Sequence, residues 1–339
     1  MIEVTGLSKR YGTHLAVDHV DFSIDKGEIV GFLGPNGAGK STIMNILTGF
    51  LSLTQGSVEI DGFDITENPE EAKKRIGYLP EIPPLYIDMK VREYLNFIYD
   101  LKKVKFPKRP NIDEVMKLVK IDHVQNRLIK NLSKGYRQRV GFAQALIGNP
   151  DVLILDEPTV GLDPKQIIEI RNLIARLGRN HTIILSSHIL SEIQAVCRRV
   201  IIINKGQIIA DDTPDTLSDK LTRDQSLVAR VVGDEADVLS MLRSVRGVKE
   251  VTSLGRKEDG AYDFRIVPND GADVRADVFK RISERGKTML SLTSSNLSLE
   301  QVFLRLTEVS DNNEARRMLG VDEVYSEPAE EEIDVKEEE

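Results

Sequence analysis

Gly34-Pro35-Asn36-Gly37-Ala38-Gly39-Lys40-Ser41 decides how the chain is read, because it carries the pattern G-x-x-x-x-G-K-[ST]. The apolar run before it, Glu28-Ile29-Val30-Gly31-Phe32-Leu33, reads as a buried strand. The run after it, Thr42-Ile43-Met44-Asn45-Ile46-Leu47, reads as the first turns of a helix. This strand–loop–helix order is what a phosphate-binding loop requires. Glycines let backbone N–H groups turn inward around an anion with no Cβ in the way. The helix adds the positive end of its dipole. On this reading Gly34 to Thr42 cradle the phosphates, Lys40 reaches the β- and γ-phosphates, and the Ser41 hydroxyl meets Mg²⁺. From average composition, a chance match in a chain of this length is on the order of one in a hundred.

Working outward, Asp151-Val152-Leu153-Ile154-Leu155-Asp156-Glu157-Pro158 is a buried strand that ends in two carboxylates. Asp156 suits the Mg²⁺ site that accompanies a phosphate loop. Glu157 suits activation of an attacking water, as general base or positioner. In Asn131-Leu132-Ser133-Lys134-Gly135-Tyr136-Arg137-Gln138-Arg139, Ser133 is placed to cap a helix beginning near Gly135, and such a helix start can bind phosphate. Gly161-Leu162-Asp163-Pro164 is a turn just past the double acid. His188 follows the strand Thr182–Ser186, at the ligand end of an α/β sheet, within reach of a γ-phosphate. His14, His19, His123 and His181 lack metal-ligand spacing and read as structural.

The first 220 residues alternate strand-like and helix-like segments, as an α/β domain does. Strands are expected at Ile2–Leu7, Val17–Ile24, Ser57–Ile60, Val152–Leu155, Thr182–Ser186, Val200–Asn204 and Gln207–Asp211, with a hairpin turn at Asn204-Lys205-Gly206-Gln207. A helical insertion spans about 82–135, broken at Lys105-Phe106-Pro107-Lys108-Arg109-Pro110. Residues 221–310 change texture. The order β-α-β-β-α-β from Leu227 to Leu292, followed by a helix over Leu299–Leu306, suggests a small ferredoxin-like α+β domain. Residues 311–339 read as an acidic tail without fixed structure.

The net charge of −8 comes from that tail: from Asp322 to the end stand ten acids and one base, so the rest of the chain sums to about +1. A near-neutral body argues against nucleic acid as a partner, since binding there needs clustered Lys and Arg. No apolar run approaches the ~18 residues that span a bilayer, and the N-terminus lacks the basic and apolar regions of a signal peptide. The single cysteine, Cys197, excludes an internal disulfide and reads as helix packing.

Taken together, these ordered motifs resemble the nucleotide-binding subunit of ABC transporters over roughly residues 1–220. The resemblance implies an α/β P-loop NTPase fold of the ABC ATPase kind: a RecA-like core, an antiparallel β subdomain and the helical insertion. It implies ATP as ligand and Mg²⁺ as cofactor, hydrolysis with Glu157, His188 and Lys40 as catalytic residues, and Ser41, Glu81 and Asp156 at the metal. Tyr11 matches the aromatic that stacks on adenine. Leu132-Ser133-Lys134-Gly135-Tyr136 stands where the family has Leu-Ser-Gly-Gly-Gln, leaving Ser133 and Gly135 to meet an opposing γ-phosphate. Asp163 lies in the dimer-communication loop. Glu81 replaces the family's usual Gln, and Lys134 and Tyr136 replace Gly and Gln. These departures, with Ser298–Thr307 near the C-terminus, resemble the export-type subclass of gliding-motility, sodium-export and antibiotic-export ATPases.

The implied working unit is a homodimer, or a pair with a related ATPase chain, closed around two ATP. It would drive a polytopic export-type permease from the cytoplasmic face of the plasma membrane. A soluble ABC ATPase acting on ribosome or DNA would be expected to carry two such domains, a basic arm or a long coiled coil, and none of these is in the sequence. A purely regulatory binding module is disfavoured by the intact Glu157.

Overall fold

The computed structural model describes residues 1–187, 189–221, 226–269, 272–294, 299–308 and 312–319. The strands of the first part, in chain order, are β1 (Ile2–Tyr11), β2 (His14–Ile24), β3 (Ile29–Leu33), β4 (Gln55–Ile60), β5 (Phe63–Asp64), β6 (Ile76–Leu79), β7 (Val152–Asp156), β8 (Thr182–Ser186), β9 (Arg199–Asn204) and β10 (Gln207–Asp212). They form two sheets. One is antiparallel, β2-β1-β4-β5, and the other runs β10-β9-β3-β8-β7-β6. Within the second sheet β9, β3, β8, β7 and β6 are parallel, and β10 returns antiparallel along one edge.

The parallel strands are apolar through their middles, as strands covered on both faces are. Their alternation sends neighbouring side chains into two different cores. Val30, Phe32, Val152, Ile154, Ile184, Ile201 and Ile203 face the antiparallel sheet and the helix Lys40–Leu47. Leu33, Leu153, Leu155, Ile183, Leu185, Val200 and Ile202 face the opposite side, with the helical insertion. That insertion carries helices Val91–Leu101 and Lys108–Leu118, and helix Lys134–Leu146 follows it. Helix Lys134–Leu146 ends on a half-buried cation: the Lys102 ammonium donates to the carbonyls of Gln144 (2.9 Å), Ala145 (3.2 Å) and Ile147 (3.1 Å). These are C-terminal carbonyls that would otherwise lack partners.

A third, separate core belongs to β11 (Leu227–Val232), β12 (Val248–Glu258), β13 (Ala261–Pro268) and β14 (Thr288–Ser294), with helices Glu235–Arg243 and Arg275–Glu284. The sheet order is β12-β13-β11-β14, with every recorded pairing antiparallel. This is the β-α-β-β-α-β arrangement read from the sequence.

The boundaries drawn near 310 do not match the packing. Helix Leu299–Glu308 buries Val302 and Leu306 in the core of the first part, not in that of the α+β domain. A further helix, Asn312–Met318, adds Ala315, and Leu319 follows it into the same core. The reason is amphipathicity: apolar residues at spacings of four make a stripe that needs cover, and the α+β core is already closed by Val238, Leu242, Val278 and Ile282. The span expected as tail therefore opens with a packed helix. The acidic stretch from Asp322 lies outside the described residues.

Candidate functional site

The phosphate-type loop leaves β3 and enters helix Lys40–Leu47. Its glycines are dictated by close approach as much as by flexibility. A Cβ at Gly34 would stand 2.5 Å from the carbonyl oxygen of Ile203 in β9. Gly39 sits at φ +106°, and a Cβ there would meet the carbonyl of Ala16 in β2 at 2.8 Å. Lys40, only 8% exposed, folds over the loop and donates to the carbonyls of Gly34 (2.7 Å) and Pro35 (3.1 Å). Burial pulls its pKa below the usual lysine value, opposed by the charges of Glu157 and Asp156. Those carboxylates therefore lie within electrostatic reach of the ammonium.

Asp156 ends β7 beside Ser186, which ends β8. The Ser186 hydroxyl donates to Asp156 Oδ1 (2.5 Å) and accepts from the Glu157 backbone N–H (3.0 Å). One serine thus fixes both members of the double acid. Glu157 itself has φ +47°, a left-handed conformation that costs about 1–3 kcal/mol for such a residue and collects at functional sites. Nearby, the Tyr78 hydroxyl donates to Asn45 Oδ1 (3.3 Å), and burial together with the charge of Asp156 pushes its phenol up to about 12. Glu81 is exposed two residues past the end of β6, the strand paired with β7, so it shares the carboxylate edge with Asp156. Tyr11 is 47% exposed at the turn from β1 into β2, with the Lys9 ammonium 5.3 Å from its ring centre. His188 lies outside the described residues.

A second cluster gathers around Ser133. Its hydroxyl caps helix Lys134–Leu146 by accepting from Tyr136 N–H (3.4 Å). Gly135 is pressed on Gln166, whose backbone N–H is in turn capped by Asp163 (2.9 Å). The Lys134 side chain lies across the backbone of Gly161. The Tyr136 hydroxyl is 3.0 Å from His123 Nε2, and Arg139 pairs with Glu169. Lys120, His123, Arg139, Asp163, Lys165 and Glu169 border an adjoining cavity of about 340 Å³. Among the described residues, no hydrogen bond joins Ser133, Gly135 or Asp163 to the phosphate loop. The sequence reading thus resolves into two constellations: Gly34–Thr42 with Asp156 and Glu157, and Ser133–Gly135 with Asp163. It overlooked Ser186, whose only signal was its place at the end of a strand neighbouring β7.

Residues 17–160 match the family model described as ABC transporter. The chain is 35% identical to the bacitracin transport ATP-binding protein BcrA of Bacillus licheniformis, over 90% of this chain and 97% of that protein. The chain belongs to the ABC transporter family.

It is similar too, at 32% identity, to the linearmycin resistance ATP-binding protein LnrL of Bacillus subtilis (strain 168), over 91% of this chain and 98% of the relative. Among solved structures it resembles the ATP-binding cassette MJ0796, in a dimeric post-hydrolysis state bound to ADP and Pi. That likeness has 25% identity and a TM-score of 0.58, and covers 63% of this chain and 98% of that one. As an ABC ATP-binding subunit the chain binds and hydrolyses ATP, pairs with a second nucleotide domain and partners a membrane permease. Among the described residues no helix is long and apolar enough to cross a membrane.

The donors at the ends of β7 and β6 and in the first turn of helix Lys40–Leu47 fit a hard cation. They are oxygens (the Ser41 hydroxyl, the Asp156 carboxylate and the Glu81 carboxylate), and among the described residues no group of three or more His, Cys, Asp or Glu is arranged around a metal. Mg²⁺ is held in this way, by one or two protein oxygens plus substrate phosphates.

Proposed function

We infer that the chain is the ATPase of an antibiotic-export type transporter. The observation that carries this is the whole-length likeness, α+β domain included, to proteins named for bacitracin transport and linearmycin resistance. On this reading ATP lies with its phosphates in the loop Gly34–Thr42 and its adenine against Tyr11. Mg²⁺, which would neutralise phosphate charge, is held by Ser41 and Asp156 with Glu81 beside them. Lys40 transfers its hydrogen bonds from the loop carbonyls to the phosphates. Glu157 orients and deprotonates the attacking water, and His188 meets the γ-phosphate. These assignments rest on the shared edge of the parallel sheet, where strand ends deliver Asp156 and Glu157 to the loop.

The second constellation completes the site of another chain. Ser133 and Gly135 at a capped helix start, with Asp163 on the neighbouring turn, form a donor-rich surface that can serve an opposing γ-phosphate. The pair is a homodimer or a dimer with a related ATPase. Ile82 (81% exposed), Tyr86 and Ile87 are exposed apolar residues where the chain enters the helical insertion, and they suit contact with cytosolic loops of an export-type permease. The complex works at the inner face of the plasma membrane.

The test is affinity capture of tagged Glu157→Gln chain, with ATP and Mg²⁺, from detergent-solubilised membranes of its own cell. Recovery of a polytopic permease supports the export reading and identifies the route to the substrate. Recovery of itself alone, or of ribosomes, removes it.

A further inference from the structure

The phosphate loop is backed by the hairpin that joins β9 to β10. The Gly206 N–H donates to the carbonyl of Ala38 inside the loop (3.0 Å). The Ile203 carbonyl presses on Gly34, as described, and the Gly206 carbonyl accepts from Asp18 N–H of β2 (2.9 Å). Loop, β2 and hairpin are therefore one unit, and the loop can be no better placed than the hairpin.

The hairpin is held from its far side by the C-terminal helix Asn312–Met318. Asn312 is 9% exposed, and its amide is used at both ends. Its Oδ1 accepts from Asn204 Nδ2 (3.1 Å). Its Nδ2 donates to the Asn204 carbonyl (3.0 Å) and to Gln207 Oε1 (3.2 Å). Gln207 passes the linkage on, donating from Nε2 to Asp18 Oδ2 (2.7 Å). One turn later, Arg316 donates from Nε (3.1 Å) and Nη2 (2.7 Å) to the Ile208 carbonyl. A buried amide that satisfies one side-chain donor and two acceptors fixes orientation as well as distance.

We propose that Asn312 is a positioning residue for nucleotide binding. It sets the hairpin 204–207, and through the Gly206–Ala38 hydrogen bond it sets the phosphate loop. The helix that carries it comes after β14 and Leu299–Glu308 in the chain. The proposal rests on the reading of Gly34–Thr42 as the ATP phosphate site.

The experiment is ATP titration of the full-length protein, by steady-state hydrolysis and by direct nucleotide binding. Asn312→Asp keeps size and acceptor but turns a carboxylate on two carbonyl-type oxygens. It should raise KM and the nucleotide Kd about five- to tenfold with kcat within twofold, the signature of lost ground-state placement. Arg316→Met, a milder change, should raise KM by about two- to threefold in the same way. Leu306→Ala is the structural control, since it opens a cavity under the same helices without touching the amide. It should lower Tm and leave KM unchanged. Unchanged KM in both Asn312→Asp and Arg316→Met overturns the proposal, as does a KM rise in Leu306→Ala equal to theirs. Lys40→Ala separates the two readings: if it binds ATP normally, the loop assignment fails. If it alone loses ATP, the loop stands and the role of Asn312 falls.

Discussion

Two charged networks in this chain use the same residue types to opposite ends. At the edge of the parallel sheet, Lys40, Asp156 and Glu157 stand together, yet Lys40 gives its hydrogen bonds to loop carbonyls and Asp156 takes one from Ser186. On the open face of the α+β sheet, Arg230 pairs with Asp263 (2.7 Å) and Glu258 (2.5 Å). Pairing there pushes the Arg230 pKa up and the Asp263 pKa down, so each charge is made more permanent by its neighbour. In the first network burial works against the charge of Lys40, and the backbone at Glu157 is strained. Charges held by backbone and hydroxyl groups, as Lys40 and Asp156 are, keep their field for a ligand. Charges that neutralise one another in pairs contribute to the fold alone.

Glu157 should be the most sensitive position for turnover. Glu157→Gln keeps the shape of the strand end and removes the base, so kcat should fall by about 10²–10⁴ while ATP binding persists. Steady-state hydrolysis beside a nucleotide-binding titration decides it, and near-normal turnover would move Glu157 out of the chemistry. Ser186→Ala comes next. It leaves Asp156 without its 2.5 Å donor and the Glu157 N–H without its 3.0 Å hydroxyl acceptor. Turnover should drop about tenfold, and stability by about 1–2 kcal/mol. If kcat holds and only Tm moves, the serine belongs with the structural network instead.

Much of the first network was legible in the sequence. Phosphate loop and double acid are local patterns, each a strand running into a functional turn, and the strand periodicity gave their context. What was not legible depends on register between distant segments. Ser186 matters because β7 and β8 are neighbours in phase, which neither segment states alone. Asn312 matters because a helix more than a hundred residues downstream of the hairpin returns to it. The strand β1 was read short, to Leu7, because register shifts opposite β2 interrupt its alternation, whereas the pairing runs on to Tyr11. The apolar stripe of Leu299–Leu306 was visible, but a stripe names no partner. Only the closed core of the α+β domain sends it back to the nucleotide unit.

A charge in the α+β sheet should matter least to turnover. Asp263→Asn removes one charge from the open-face network and leaves Arg230 its pairing with Glu258. ATP hydrolysis should be unchanged in KM and kcat, because among the described residues Arg230, Asp263 and Glu258 pair with one another and not with the phosphate loop. Stability should fall slightly, and the pH dependence identifies the cause. Arg230 holds the Asp263 carboxyl below its ordinary value. The folded state therefore binds fewer protons than the unfolded state as the solution becomes acidic, and the stabilisation is complete above the unfolded pKa of about 4. As pH falls through that value and on through the depressed folded pKa, the carboxyl protonates, comes to resemble the asparagine, and the benefit disappears. Melting temperatures of the two proteins should thus differ by a constant amount from pH 8 to about 5 and converge below about 4. A difference that persists unchanged into acid would mean that the asparagine disturbs packing in the sheet, and that the Arg230 network stabilises by shape more than by charge.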